Sequence, residues 1–195
     1  HSWKVKKMEE YIDLCEKVIE KTIPKVDYVD IRAGKSNNSS IIMKDGSVDE
    51  INTGNTLGFR IRVLNNGAWG FAYTNDYTKL EEIAETSITL ANSLKGDIEL
   101  APSEIIKDKV VSDVKIPFSD VSIEEKKDIM EEANKAASLD KVNSITISYS
   151  DSENKGLFIN SEGSLIQTDE SRVGMFLNAA ATNGEVIQFG HGSIG

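Results

Sequence analysis

The stretch Gly58-Phe-Arg-Ile-Arg-Val-Leu-Asn-Asn-Gly-Ala-Trp-Gly-Phe-Ala-Tyr-Thr-Asn-Asp76 decides the fold. Leu57, Phe59, Ile61 and Val63 alternate with Gly58, Arg60, Arg62 and Leu64, the period-2 pattern of a strand. After the turn, Trp69, Phe71 and Tyr73 alternate with Ala68, Gly70 and Ala72. Two strands around Asn65-Asn66-Gly67 form a hairpin, and loop length decides which faces coincide. A three-residue loop sets the aliphatic side chains beside the aromatic ones and leaves the arginines on the opposite face; it is the preferred reading. A two-residue Asn66-Gly67 loop stays open, and it stacks Arg60 and Arg62 against aromatic rings.

Outward from the hairpin, Met8, Tyr11, Ile12, Cys15, Ile19 and Ile23 recur at helical spacing, and Pro24 ends that helix. Val26–Ala33 reads as a strand, Gly34–Ser40 as a polar loop, and residues 40–44 and 47–52 as a hairpin on Asp45-Gly46. Thr53-Gly54-Asn55 reads as the turn into the central hairpin. A second helix follows from a Thr78/Glu81 capping box, with Leu80, Ile83, Ala84, Ser87, Ile88, Ala91 and Leu94 as its buried stripe and Gly96 as its stop. Residues 97–121 read as a connection with one short strand near Val110–Ile116. A third helix starts at a Ser122/Glu125 capping box and runs to about Leu139. Strands are predicted over 142–150, 155–160, 164–169, 172–182 and 185–191.

The prediction is an α+β fold, with antiparallel meander sheets packed on two or three helices. It divides into a first lobe, 1–96, a connection, 97–121, and a second lobe, 122–195. The halves match at one offset: Gly46 and Gly163, Phe59 and Phe176, and Asn66-Gly67 and Asn183-Gly184 each lie 117 residues apart. This predicts two lobes related by duplication.

With 32 acidic and 22 basic residues, net charge −10, the composition argues against a phosphate-backbone binder. The acidity reads most simply as solubility. One cysteine, Cys15, precludes an intramolecular disulfide and points to a reducing, cytoplasmic home. Its place on a helix's apolar face makes it a packing residue. No run is long enough to span a bilayer. His1–Lys7 has no signal-peptide core, and Met8 reads as a natural start.

Candidate chemistry is thin. The two histidines, His1 and His191, cannot make a helical zinc motif, so no catalytic or metal residue is assigned. His1 reads as part of a tag or a frayed terminus. Asp27, Asp30, Asp45, Asp49 and Glu50 follow strand and turn spacing, not that of a calcium loop. The residues suited to substrate or interface contact are Arg60, Arg62, Trp69, Phe71 and His191. Arginine could hold a peptide carboxylate. The simpler reading makes the arginines exposed strand residues, Trp69 and Phe71 core, and His191 a loop residue.

Several segments, in order, resemble the TldD/PmbA family of zinc-dependent peptidases, once described as modulators of DNA gyrase. They are Asp27-Tyr28-Val29-Asp30-Ile31-Arg32, Asp45-Gly46, Gly58–Val63, Gly67–Asp76, the helix to about Leu94, and Ile159–Gly163. The resemblance covers the part that precedes the family's metal-binding half, and the glycine-rich end, Gly190–Gly195, resembles the passage leading to it. It implies a protein acting on peptides or unfolded polypeptides. Zinc-activated water and a Glu base would come from a downstream His-Glu-x-x-x-His helix. This part would wall the substrate chamber and support a homodimer, or a heterodimer with a paralogue, and would be inactive alone. The alternatives are a non-catalytic paralogue subunit and a stand-alone binding or scaffold module. Nucleic acid and membrane are not expected partners.

Overall fold

The central hairpin folds on the shorter loop. In a computed structural model, which describes residues 8–195, Asn65 pairs with Ala68, leaving only Asn66 and Gly67 between them. Both have positive φ, 50° and 73°, the type I′ geometry that suits a strand twist. Leu64 therefore faces Trp69, Arg62 faces Phe71 and Arg60 faces Tyr73. The preferred three-residue loop is corrected, and the physical reason is the helix beneath. A Cβ on Gly70 would come within 2.0 Å of the Ser87 carbonyl oxygen. The second helix seats directly on the small-residue side of the strand, and bulky rings fit only on the other side. The start, His1–Lys7, lies outside the described residues.

Among the described residues the α-helices are α1 (Met8–Thr22), α2 (Leu80–Asn92) and α3 (Ile123–Ala137). The strands are β1 (Tyr28–Lys44), β2 (Ser47–Asn65), β3 (Ala68–Thr74), β4 (Lys107–Val111), β5 (Val142–Asn160), β6 (Leu165–Thr182) and β7 (Ile187–Ile194). They form a mostly antiparallel sheet in the order β3-β2-β1-β5-β6-β4, with β7 also on β6. This is the α+β class the sequence predicts. The exception to the antiparallel pattern is β4, which pairs with β6 in parallel.

Four strands are much longer than their hydrophobic patterns suggest. Gly34–Ser40 and Thr53-Gly54-Asn55 lie inside β1 and β2 rather than in loops, and β5 and β6 run unbroken where two strands each were expected. Backbone pairing satisfies a strand whatever its side chains. What the polar segments lack is a core to face: no residue from 34 to 38 is buried. The chain forms two compact units. One comprises the chain to Ser36, Thr56–Val111 and Asn154–Asp169; the other comprises Asn37–Asn55, Ser112–Glu153 and Glu170–Gly195. Each polar interruption falls where the chain leaves one unit for the other.

In the first unit, α1 and α2 cover one sheet face. Tyr11, Cys15 and Val18 of α1 meet Val29 and Ile31 of β1, Phe59, Ile61 and Val63 of β2, and Leu80, Ala84 and Ala91 of α2 in one buried cluster. Cys15 is fully buried, and burial pushes its thiol up to about 12. The entry to α2 differs from expectation. Asp76, not Thr78, is the cap, accepting from the Thr78 N–H and hydroxyl at 2.9 and 2.6 Å through a 3₁₀ turn at Tyr77–Lys79. Those hydrogen bonds hold the Asp76 carboxyl below its ordinary value. The helix ends before Leu94, which is exposed.

In the second unit, α3 starts at the predicted capping box, Ser122 and Glu125. Its Met130 packs with Ile41, Met43, Ile145 and Ile147. The short strand of the connecting segment lies at Lys107–Val111, earlier than expected. The repeat is visible in element order: helix, long strand, hairpin, long strand, hairpin, strand, once before α2 and again from α3. Gly46, Gly67, Gly163 and Gly184 all have positive φ in the matching connections. The loops differ in length, however. Asn160 bonds to Ser164 around Gly163, one residue more than in the Asp45-Gly46 turn. One extra residue flips every following side chain, so Phe176 is 47% exposed where Phe59 is buried.

Candidate functional site

With the core on one side, every second residue of the first unit's strands is left for the opposite face. Tyr28, Asp30 and Arg32 come from β1, Arg60 and Arg62 from β2, Trp69, Phe71 and Tyr73 from β3, and Phe158 from β5. No helix of this unit covers them. Arg62 is the organising side chain. Its Nε and Nη2 donate to Asp30 Oδ2 at 2.9 and 2.7 Å. Its guanidinium lies 4.8 Å from the Trp69 ring centroid, and Tyr28 meets the same indole edge-on at 5.9 Å. Arg32 sits 5.0 Å from the Phe158 ring.

The electrostatics are asymmetric. Asp30 is fully buried while the Arg62 side chain is 38% exposed. The hydrogen bonds to Asp30 raise the guanidinium further above its ordinary value. Asp30 Oδ1 is buried without a partner. Burial pushes the Tyr28 phenol up, opposed by a hydrogen bond with Asn160. Thus Asp30 is buried and engaged by Arg62, while the exposed Glu162 carboxylate lies close enough to push the Tyr28 phenol slightly further up. Arg32 and Arg60 have no ion-pair partner among the described residues.

Four of the five residues singled out from the sequence come together here: Arg60, Arg62, Trp69 and Phe71. Phe71 is 62% exposed, which corrects its reading as core, and Tyr73, not singled out, is 80% exposed. The fifth, His191, lies on β7 in the second unit, paired with Asn178 and stacked on Phe176 at 6.3 Å. It is a strand residue, not a loop residue.

The second unit holds a cluster that sequence reasoning missed. Asp151 Oδ2 accepts from Lys126 Nζ at 2.7 Å, Tyr149 Oη at 2.8 Å and Ser39 Oγ at 2.9 Å. Lys126 also donates to Ser39, at 3.1 Å. All four residues are buried. Burial, then the bond to Asp151, pushes the Tyr149 phenol far up. Lysine beside serine could suggest a nucleophile and base. Lys126 Nζ is already engaged by both Asp151 and Ser39 in a buried set of mutually bonded groups, so we read this cluster as a structural network. One signal was available: Lys126 falls on the apolar stripe of α3 with Ile123, Met130, Ala133 and Ala137.

A family model described as PmbA/TldA metallopeptidase domain 1 matches residues 29–91, and one for the central domain of the same metallopeptidases matches residues 116–195. The chain belongs to the TldD/PmbA family. A metalloprotease of Methanothermobacter thermautotrophicus is 48% identical over 171 residues, which is 88% of this chain and 38% of that protein. One of Methanocaldococcus jannaschii is 37% identical over 179 residues, covering 88% of this chain and 40% of that protein. The chain thus spans about two-fifths of these TldD/PmbA relatives. Two solved structures share the fold. A Thermotoga maritima protein described as a modulator of DNA gyrase superposes with TM-score 0.80 at 18% identity, over 94% of this chain and 42% of that one. TldE of Thermococcus kodakarensis gives 0.70 at 18% identity, over 92% and 42%.

Among the described residues no group of three or more His, Cys, Asp or Glu could hold a metal ion. These residues do not fit a zinc centre, and no zinc-dependent step is assigned to them. Among the same residues no helix is long and apolar enough to cross a membrane.

Proposed function

We propose that this chain is the substrate-side portion of a TldD/PmbA metallopeptidase acting on peptides or unfolded polypeptides. In this reading it holds an extended polypeptide, contributes to contacts between two subunits, and is inactive alone. The observation that carries it is the first unit's sheet face opposite α1 and α2, where Arg32, Arg60, Phe71 and Tyr73 are exposed beside the half-buried Arg62 and Trp69. Rings supply contact area without demanding one sequence, and arginine supplies charged hydrogen bonds to an extended chain. The nucleophile would be zinc-activated water, with zinc and general base held by protein outside this sequence. Cytoplasmic residence fits the single reduced cysteine.

The test is to express a protein that continues past Gly195 and to measure its zinc content and its hydrolysis of an unfolded protein, beside the 195-residue chain. The reading expects zinc and cleavage in the longer protein only. Cleavage by the short chain, or a longer protein with neither zinc nor activity, would refute it.

A further inference from the structure

The sequence contains only four arginines, and three of them, Arg32, Arg60 and Arg62, stand on this one sheet face. The chain carries a net charge of −10, yet on this face Asp30 is buried beneath Arg62, and the exposed carboxylate near Tyr28 is Glu162, so the three arginines outnumber these two acids. The face is therefore locally cationic on an acidic molecule. Arg62 is clamped by Asp30 and stacked on Trp69, so its position is set before any ligand arrives. Its Nη1 has no partner among the described residues. Arg60 is exposed beside Tyr73.

We propose that this face selects acidic extended polypeptide, with Arg60 and Arg62 taking carboxylates and Trp69, Phe71 and Tyr73 taking the aliphatic parts of the same segment. The proposal rests on the reading of this domain as a polypeptide holder and adds a charge preference to it. The spacing supports it. Arg60 and Arg62 are two residues apart on one strand, so they repeat at about 6.8 Å, as do carboxylates on alternate residues of an extended peptide. Single-stranded nucleic acid is the competing anionic ligand that could use arginines and rings. The overall charge disfavours it, because a polyphosphate meets long-range repulsion from the rest of the molecule.

The experiment is fluorescence anisotropy with labelled peptides bearing Glu at alternate positions, their Gln counterparts, and oligothymidylate. The Glu peptide should bind about fivefold or more tighter than the Gln peptide at low salt, narrowing as salt rises. Arg60→Gln should reduce that preference by about threefold with an unchanged circular dichroism spectrum. Equal binding of the Glu and Gln peptides would overturn the proposal and leave the polypeptide-holding reading standing. No binding by either peptide would overturn both. Tighter binding of oligothymidylate than of the Glu peptide would replace the ligand class. A Glu preference untouched by Arg60→Gln would place the ligand elsewhere and overturn the assignment.

Discussion

Replacing Arg62 with Met should destabilise the protein by about 3 kcal/mol. Asp30 is fully buried, its Oδ1 has no partner, and both hydrogen bonds reaching Oδ2 come from Arg62. Without that guanidinium a carboxylate sits in the sheet with neither counter-charge nor donor. Breaking a buried pair from one side costs about 3–5 kcal/mol. The lower end applies because Arg62 is itself 38% exposed, so water already weakens the attraction. For a chain of this size, about 3 kcal/mol corresponds to a fall in Tm of about 6–12 °C. Urea titration followed by circular dichroism and tryptophan fluorescence would show the midpoint falling at constant slope. The double variant Asp30→Asn/Arg62→Met should recover about 2 kcal/mol, because no charge is then stranded. Arg60→Met, its neighbour on the same face with no ion pair, should stay within about 0.5 kcal/mol of wild type. An Arg62→Met cost below about 1 kcal/mol, or a double variant as unstable as the sum of its singles, would refute the account of Arg62 as the clamp on a buried acid.

Gly70→Ala should cost about 3 kcal/mol or more, because its Cβ would lie 2.0 Å from a backbone oxygen of α2 rather than against a side chain that can turn aside; urea midpoints or loss of soluble protein would show it. Lys126→Met should cost about 3–5 kcal/mol by stranding Asp151, and adding Asp151→Leu should restore most of it, again by denaturant titration. Cys15 should resist thiol reagents except through unfolding. Its folded pKa, about 12, lies above the ordinary value of 9.0, so its contribution is intact below pH 9.0 and wanes as pH rises toward 12. Labelling rates with and without urea, and urea midpoints across that range, would check both statements.

The hairpin shows how far the sequence carried and where it stopped. Both strands, the turn residues and the alternation were legible in residues 57–74, and so was the resemblance that places the chain in its family. The face assignment was not, because it depends on what lies beneath. A preference for one fully apolar face favoured aliphatic and aromatic residues together. The actual core side of β3 is Ala68, Gly70 and Ala72, small because α2 approaches to backbone contact. Alternating small residues opposite alternating large ones are themselves a signal of close helix packing, and they explain why the rings stand outside.

The polar interruptions carry a related lesson. Gly34–Ser40, Thr53–Asn55 and the breaks in the two later long strands have the composition of loops, yet the backbone passes through them as strand. A strand is recognised in sequence by the core that one of its faces meets. Where the chain passes between two cores, neither imposes alternation, and the pattern lapses while the pairing continues. In such a chain, polar breaks inside long sheets mark exchanges between units rather than ends of elements. Buried charge behaves in the opposite way. Lys126 falls on the apolar stripe of α3, whereas Asp30 falls on the side of β1 opposite Val29 and Ile31 and is buried all the same; each is paired. The Lys126 pair is buried on both sides, and Ser39 and Tyr149 also donate to its carboxylate. The Asp30 pair ends in a guanidinium held at the surface beside exposed rings. That difference in exposure, rather than any difference in residue type, is why the proposed contact is placed on the first unit's pair.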